Sequence, residues 1–269
     1  MPNYTFAHIV RVGSGSFSSA PLLAAWGSAR CSLLARGTGR TERGSVKSIP
    51  GTLVFGLLQP VAFGLLLFLA AGTVNYWQAW LLLAVFAISA WISSIYLLRA
   101  NPAAFQRRMR GGPTAETRMA QKVVMGCFWL SFATMFMVSV LDHRFGWSAV
   151  PPAISLVGDV LVAIGLAVVM LVVIQNSYAA ATIRVEAGQK LVSTGLYRLV
   201  RHPMYTGNVI VMVGIPLALG SYWGLVFVVP GLIVLASRIR DEEKLLQKEL
   251  DGYREYTQKV RYRLVPCMW

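Results

Sequence analysis

Residues 189–207 read QKLVSTGLYRLVRHPMYTG, and residues 208–237 directly behind them read NVIVMVGIPLALGSYWGLVFVVPGLIVLAS. The fold turns on whether the second stretch crosses a membrane once or doubles back. The first stretch is the longest polar passage between two apolar blocks in the second half of the chain. It places Tyr197, Arg198, Arg201, His202 and Tyr205 within nine residues, with Gly195 and Gly207 at its edges. A residue ahead of proline is pushed out of the α region, so Arg201-His202-Pro203 stops any helix before it. Pro203 suits the first turn of the next helix, where a missing N–H costs little. The apolar stretch is broken by Gly214, Pro216, Gly220, Pro230 and Gly231. It reads either as one long kinked span or as a hairpin turning near Gly220–Ser221.

Working outward, four more apolar blocks precede it: Leu53–Thr73, Tyr76–Leu98, Val123–Leu141 and Ala153–Ile174. Each approaches the ~20 residues that cross a ~30 Å hydrocarbon core. Asn75 and its neighbours leave room only for a tight turn, so the first two blocks should be antiparallel neighbours. Pro60 should kink the first, and Asp159 lies near the start of the fourth. The 269 residues are 56% hydrophobic and 13% charged, with mean hydropathy +0.58. Soluble domains run near ~45–50% apolar and ~25% charged, so this is an integral membrane protein. The 8 Trp and 10 Tyr suit interfacial belts.

Charge parity decides the topology. Lys plus Arg number six in Met1–Pro50, none between the first two blocks and six in Arg99–Lys122. One follows in Asp142–Pro152, four in Gln175–Tyr205 and eight from Arg238 onward. Basic residues collect in cytoplasmic loops. Four crossings then put the N-terminal region, the Arg99–Lys122 segment and the His202 motif on the cytoplasmic face. The basic C-terminal region joins them only if residues 208–237 form a hairpin. The expected fold is all-α and membrane-integral, with four transmembrane helices, a C-terminal helical hairpin and a cytoplasmic amphipathic helix over Arg238–Lys259. That last helix should open on Asp241, Glu242 and Glu243 in its first turn, where the helix dipole favours acids, and end or bend at Gly252.

The remaining segments carry less. Residues 1–47, rich in Ser, Gly, Ala and Arg, read as a basic disordered tail or as sequence ahead of a mis-assigned start. Residues 48–269 form the membrane domain. Arg99–Lys122 reads as an interfacial loop whose arginines meet lipid phosphate, with a turn at Gly111-Gly112-Pro113. The net charge of +14 suits anionic lipid, and no basic helix carries the context that nucleic-acid binding needs. Cys31, Cys127 and Cys267 form no spaced pair, and His8, His143 and His202 are scattered, so no metal site is expected. Cys127 reads as a small hydrophobe. No G-x-G-x-x-G after a strand, P-loop or H-E-x-x-H is present.

With a hairpin, the Gly195–Gly207 motif and the Arg238–Glu243 segment meet at one membrane boundary. Ionisable groups at membrane depth usually mark function. Together they offer cations, carboxylates, aromatic faces and glycines. That set suits a zwitterionic, nucleotide-like ligand: carboxylates take an ammonium or ribose hydroxyls, arginine takes a carboxylate, and tyrosine takes a purine or a cation.

The whole pattern is G-x-Y-x-x-x-R-H-P-x-Y-x-G, a short hairpin, R-x-E-E, then Y-x-x-Y-x-x-x-V. Here it is Gly195, Tyr197, Arg201, His202, Pro203, Tyr205, Gly207; Arg240, Glu242, Glu243; and Tyr253, Tyr256, Val260. It resembles the isoprenylcysteine carboxyl methyltransferase family, especially its bacterial members, as do Asn176-Ser177-Tyr178 and the Val260–Pro266 ending. The resemblance runs from about Ser48 to Trp269. It implies a membrane methyltransferase that uses S-adenosylmethionine without a Rossmann fold. It also implies cofactor contacts at Tyr197, His202, Tyr205, Gly207, Glu242 and Glu243. Eukaryotic members orient the substrate carboxylate with an arginine near the C-terminus. Lys259 stands at that place here, with Arg261 and Arg263 nearby, so Arg201, Lys259 and Arg261 are the substrate-orienting candidates.

The implied substrate is a lipidic or prenylated carboxylate, itself the nucleophile, so no general base is required. The partners are the bilayer and a lipophilic substrate. Three other readings stay open: a phospholipid N-methyltransferase, which needs a neutral amine; an NADPH-dependent sterol-reductase-like protein, related at R-H-P-x-Y and in the ending; and a non-enzymatic membrane scaffold.

Overall fold

The structure is a computed structural model that describes residues 49–102, 104–105, 119–179, 189–266 and 269, with backbone alone for 49–59 and 120. The 1–47 segment, the Gly111-Gly112-Pro113 turn and most of the Arg99–Lys122 segment lie outside these residues. The elements are α1 (Ile49–Ala71), α2 (Trp77–Ala100), α3 (Met119–Phe145), α4 (Pro152–Gln175), a 3-10 turn (Gly195–Arg198), α5 (Pro203–Ala218), α6 (Trp223–Val226), α7 (Val228–Glu249) and α8 (Tyr253–Lys259). No strand occurs among the described residues. Four helical stretches are long and apolar enough to cross a bilayer: Trp77–Ala100, Gln121–Phe145, Pro152–Gln175 and the continuous run Trp223–Glu249. At 1.5 Å per residue, 24 residues span about 36 Å. The fold is an all-α integral membrane fold.

Side chains on the outer faces are apolar, including Leu65, Leu69, Ile88, Ile92, Val123, Leu130 and Ile233. A soluble surface would not carry so continuous an apolar coat. The core lies where α1–α5 converge, around Leu67, Leu82, Met135, Val162, Met212 and Ile215. The first pair is antiparallel, as expected. Phe63 meets Phe86 at 6.2 Å and Phe68 meets Trp80 at 4.5 Å, so later residues of α1 pair with earlier ones of α2. Pro60 lies inside α1.

The tightest packing is between α4 and α5. Each opens on a proline, and each presents two glycines seven residues apart to the other. A Cβ on Gly207 would stand 2.8 Å from the Gly165 carbonyl oxygen, and one on Gly214 would stand 2.9 Å from that of Gly158. A Cβ on Gly158 would overlap the Ala218 backbone nitrogen. Without a hydrophobic drive between helices in lipid, small residues that let backbones approach supply this association.

The hairpin is present. Gly220, at φ 71°, turns the chain between α5 and α6. Without a Cβ it adopts that left-handed conformation at little cost. On the return leg, Gly231 lies against Met212, and Glu242 and Glu243 reach Tyr205 and His202. One expectation is corrected. No separate helix starts at Arg238, because α7 runs unbroken from Val228 to Glu249. The acids therefore sit deep in a helix, where the pairing described below holds them, rather than in a first turn under a helix dipole. The break falls at Gly252 (φ 78°), before α8. α3 and α4 outrun their apolar blocks at both ends, because hydropathy marks the lipid-soluble part of a helix and not its ends.

The bundle has two distinct ends. The turn end gathers the α1–α2 turn, the α3–α4 link and Leu219–Tyr222. There Tyr76 stacks on His143 at 3.6 Å and donates its hydroxyl to the Leu219 carbonyl. The Asp142 carboxylate accepts the Ser148 N–H and hydroxyl and the Ser221 hydroxyl, at 2.7, 2.7 and 2.5 Å. Trp77, Trp80, Trp147 and Trp223 are exposed around it, as an interfacial belt requires. The other end carries Arg198, Arg201, Arg238 and the carboxylates of α7.

Candidate functional site

At that second end, the stretch ahead of Pro203 is held by the segment after α8. The Arg201 N–H donates to the Tyr262 carbonyl at 2.9 Å and the His202 N–H to the Arg263 carbonyl at 3.0 Å. The Thr206 hydroxyl donates to the Leu264 carbonyl at 2.7 Å. Proline keeps the residue ahead of it out of the α region, so the backbone N–H groups here have no helical partner and need others. The returning chain supplies them.

Glu243 is the hub. Its Oε1 accepts from Arg201 at 2.9 Å and lies 3.3 Å from His202 Nε2, while its Oε2 accepts from Arg263 Nε at 2.9 Å. Both Glu243 and His202 are buried. Arg201 also donates to the carbonyls of Val260, Thr257 and Arg261. A guanidinium has five N–H donors in a planar fork, and this one is spent on tying α7, α8 and the final segment together.

Glu242 belongs to a second chain of bonds. The Tyr205 hydroxyl donates to its Oε2 at 2.6 Å and accepts from Arg238 Nε at 3.0 Å. Arg238 also donates to Gln121 Oε1 at 3.0 Å, and the Gln121 amide donates to Asp241. The line runs from α5 through α7 into α3. Arg238 and Gln121 are almost fully buried, and nothing in the linear pattern marked Gln121.

Between these networks and the 189–192 segment lies a cleft of about 110 Å³. Tyr197, Arg201, His202, Tyr205, Glu242 and Lys190 line it, with Asn176, Leu246, Leu250, Tyr253 and Tyr256. The turn into the motif is set locally: Gly195 (φ 61°) packs against the Gln175 side chain, which accepts the Leu196 N–H. Tyr256 donates to the Tyr197 carbonyl at 2.6 Å, and Asn176 donates to the Tyr197 hydroxyl at 3.1 Å. Burial pushes the Tyr197 phenol up to about 12 and raises those of Tyr253 and Tyr256 well above their usual value. All three stay neutral near pH 7.

The expected site residues thus separate. Tyr197, Arg201, His202, Tyr205 and Glu242 converge on the cleft. Glu243 lies behind it, holding Arg201 and His202 in place. Gly207 turns its bare face to α4 and acts through packing. Lys259 and Arg261 are exposed and do not line the cleft. Tyr253 and Tyr256, part of the sequence pattern but not among the expected site residues, also line the cleft, and their i, i+3 spacing puts them on one helix face.

The residues present fit an S-adenosyl group. They give a flat aromatic surround, a carboxylate facing the cavity, and one buried polar atom still lacking a partner, the Tyr253 hydroxyl. A typical small-molecule site exceeds roughly 300 Å³, so a nucleoside requires these walls to part.

Residues 154–251 match the family model for phospholipid methyltransferase. That segment, little more than a third of the chain, runs from the first turn of α4 through α7 and carries most of the cleft wall. A stretch of 91 residues is 32% identical to the Delta(14)-sterol reductase of Mus musculus, covering 33% of this chain and 22% of that one. The matched stretch is thus about a fifth of the reductase's length. The solved structure of the eukaryotic intramembrane Ras methyltransferase, isoprenylcysteine carboxyl methyltransferase, is also similar. That likeness has 14% identity and TM-score 0.37 over 79% of this chain and 84% of that one.

Proposed function

We propose that this chain is an S-adenosylmethionine-dependent methyltransferase acting at the membrane on a lipidic or prenylated carboxylate. The observation that carries this is the meeting of His202, Tyr205 and Glu242 on one cleft, from within the segment matched to the methyltransferase family. The basic residues at this end of the bundle, against Arg144 alone at the Asp142 end, support a cytoplasmic site.

When bound, S-adenosylmethionine supplies a methyl group on a positively charged sulfur. The aromatic rings and Glu242 favour that charge. With the group bound, the cleft walls would exclude water from it and the neighbouring helices would orient the acceptor. A carboxylate acceptor would be its own nucleophile, so the protein's residues would have to orient it but remove no proton.

The family description favours one second reading, methyl transfer to a phospholipid amine. That acceptor must lose a proton, and His202 would be the base nearest the cleft, although Glu243 holds its Nε2 side. Binding of labelled S-adenosylmethionine to detergent-solubilised protein, with NADPH as competitor, tests the cofactor. Retention of NADPH and not S-adenosylmethionine defeats the proposal. Native membranes incubated with methyl-labelled cofactor then separate the acceptors. Base-labile label released as methanol indicates an ester, and base-stable label indicates an amine.

A further inference from the structure

Three of the phenols on the cleft are committed to the protein: Tyr205 to Glu242, Tyr256 to the Tyr197 carbonyl, and Tyr197 as acceptor for Asn176. Tyr253 is different. It is 3% exposed, its ring packs beside Tyr256, Leu191, Leu246 and Leu250, and its hydroxyl has no partner among the described residues. A phenylalanine would fill this place equally well without stranding a polar group in the interior. A buried hydroxyl left unpaired is costly, and such groups call for an explanation outside the protein's own bonding.

The electrostatics narrow the missing partner. Glu242 and Glu243 both raise the Tyr253 phenol, after burial itself, so it keeps its proton and can donate. Two carboxylates nearby disfavour an anion. Glu242 is acceptor-only. Its Oε2 takes the Tyr205 proton, and its Oε1 has no recorded bond among the described residues. A group that suits a donor and an acceptor lining one cleft is an alcohol, which accepts from one and donates to the other.

We propose that Tyr253 and Glu242 form a subsite for a ribose hydroxyl of the bound nucleoside. The Tyr253 hydroxyl donates to the ribose oxygen, and the ribose hydroxyl donates to Glu242. This rests on the methyltransferase reading and names two residues that recognise its cofactor.

The test is calorimetric binding to the full chain in detergent. The probes are S-adenosylhomocysteine and its 2′-deoxy and 3′-deoxy forms. A single hydrogen bond corresponds to about five- to tenfold in affinity. Tyr253→Phe should weaken S-adenosylhomocysteine by about that factor. The weakening should vanish with one of the two deoxy forms, and the thermal midpoint should not fall. Glu242→Gln should show the same dependence on that hydroxyl.

Equal weakening for all three ligands, no weakening, or a drop in thermal stability with Tyr253→Phe would overturn the subsite while leaving the methyltransferase reading standing. Wild-type protein that fails to bind S-adenosylhomocysteine would overturn both.

Discussion

Glu243 and Asp142 are both buried carboxylates, at opposite ends of one bundle. Their partners differ in kind. Asp142 is held by neutral donors from two adjoining links, the Ser148 backbone and the hydroxyls of Ser148 and Ser221. Glu243 is held by two arginines and a histidine that come from just ahead of Pro203 and from beyond α8. The first arrangement closes the turn end, tying the α3–α4 link to Ser221. The second stands behind a cleft bordered by Glu242 and Tyr253. Both sets are charge-assisted on the carboxylate side, but only at Glu243 do the donors carry charge, so breaking that set strands buried cations. The site end is therefore the more brittle of the two.

The sharpest way to break this comparison is Glu243→Ala. It leaves the Arg201 guanidinium and His202 facing each other in a buried site. Removing one partner of a buried ion pair costs about 3–5 kcal/mol. We expect a large fall in thermal midpoint in detergent, with loss of S-adenosylhomocysteine binding. A midpoint near wild type would mean that the arginines are held by carbonyls alone.

Next in size are the glycines that run between the two ends. Overpacking a tight contact costs about 1–3 kcal/mol. Gly158→Ala and Gly207→Ala should both destabilise by that order, because each new methyl group meets backbone across the α4–α5 contact. Only Gly207→Ala should also weaken cofactor binding, since it displaces the helix start that carries His202 and Tyr205. Equal effects on binding from both would show that the ends are not independent.

Much of this was legible in the residues. The hairpin followed from charge parity, because burying eight basic residues on the wrong side is unfavourable wherever the helices pack. The motif around His202 stood out because ionisable groups at a membrane boundary are expensive. What the pattern could not separate was use from support. Arg201 and Glu243 have the same types as ligand contacts, and only the fold reveals that they bind each other and the final segment. Tyr253 looked like any aromatic on an amphipathic helix, since nothing in a sequence tells whether a hydroxyl finds a partner. The Asp142 cluster was missed because Ser221 lies 79 residues away and neutral serines leave no trace in a count of charges.

A smaller effect is expected from Asp142→Asn. The amide oxygen keeps the Oδ1 bond from the Ser148 N–H, and a donor replaces Oδ2, so the two serine hydroxyls that share it must turn. That should cost about 1–2 kcal/mol, visible as a modest fall in thermal midpoint, with cofactor affinity unchanged. Weakened binding would mean that the turn end communicates with the site through α4 and α5.

The finest discrimination comes from Tyr205→Phe. The ring stays, and its place over His202, 5.7 Å between centroids, is retained. Only the hydroxyl between Arg238 and Glu242 is lost. Arg238 keeps Gln121, and Glu242 borders the cleft, where water can reach it, so stability should fall by only about 1 kcal/mol. Ser221→Ala at the other end removes one hydroxyl from Asp142 and should cost a similar amount. The two should part in binding. Without Tyr205 to fix its Oε2, Glu242 is free to rotate away from the ligand, and S-adenosylhomocysteine should weaken about threefold to tenfold; with Ser221→Ala it should not weaken at all. If Tyr205→Phe binds as tightly as wild type, the orientation of Glu242 is set elsewhere, and the chain of bonds from α5 to α3 is scaffold in the same sense as the serines around Asp142.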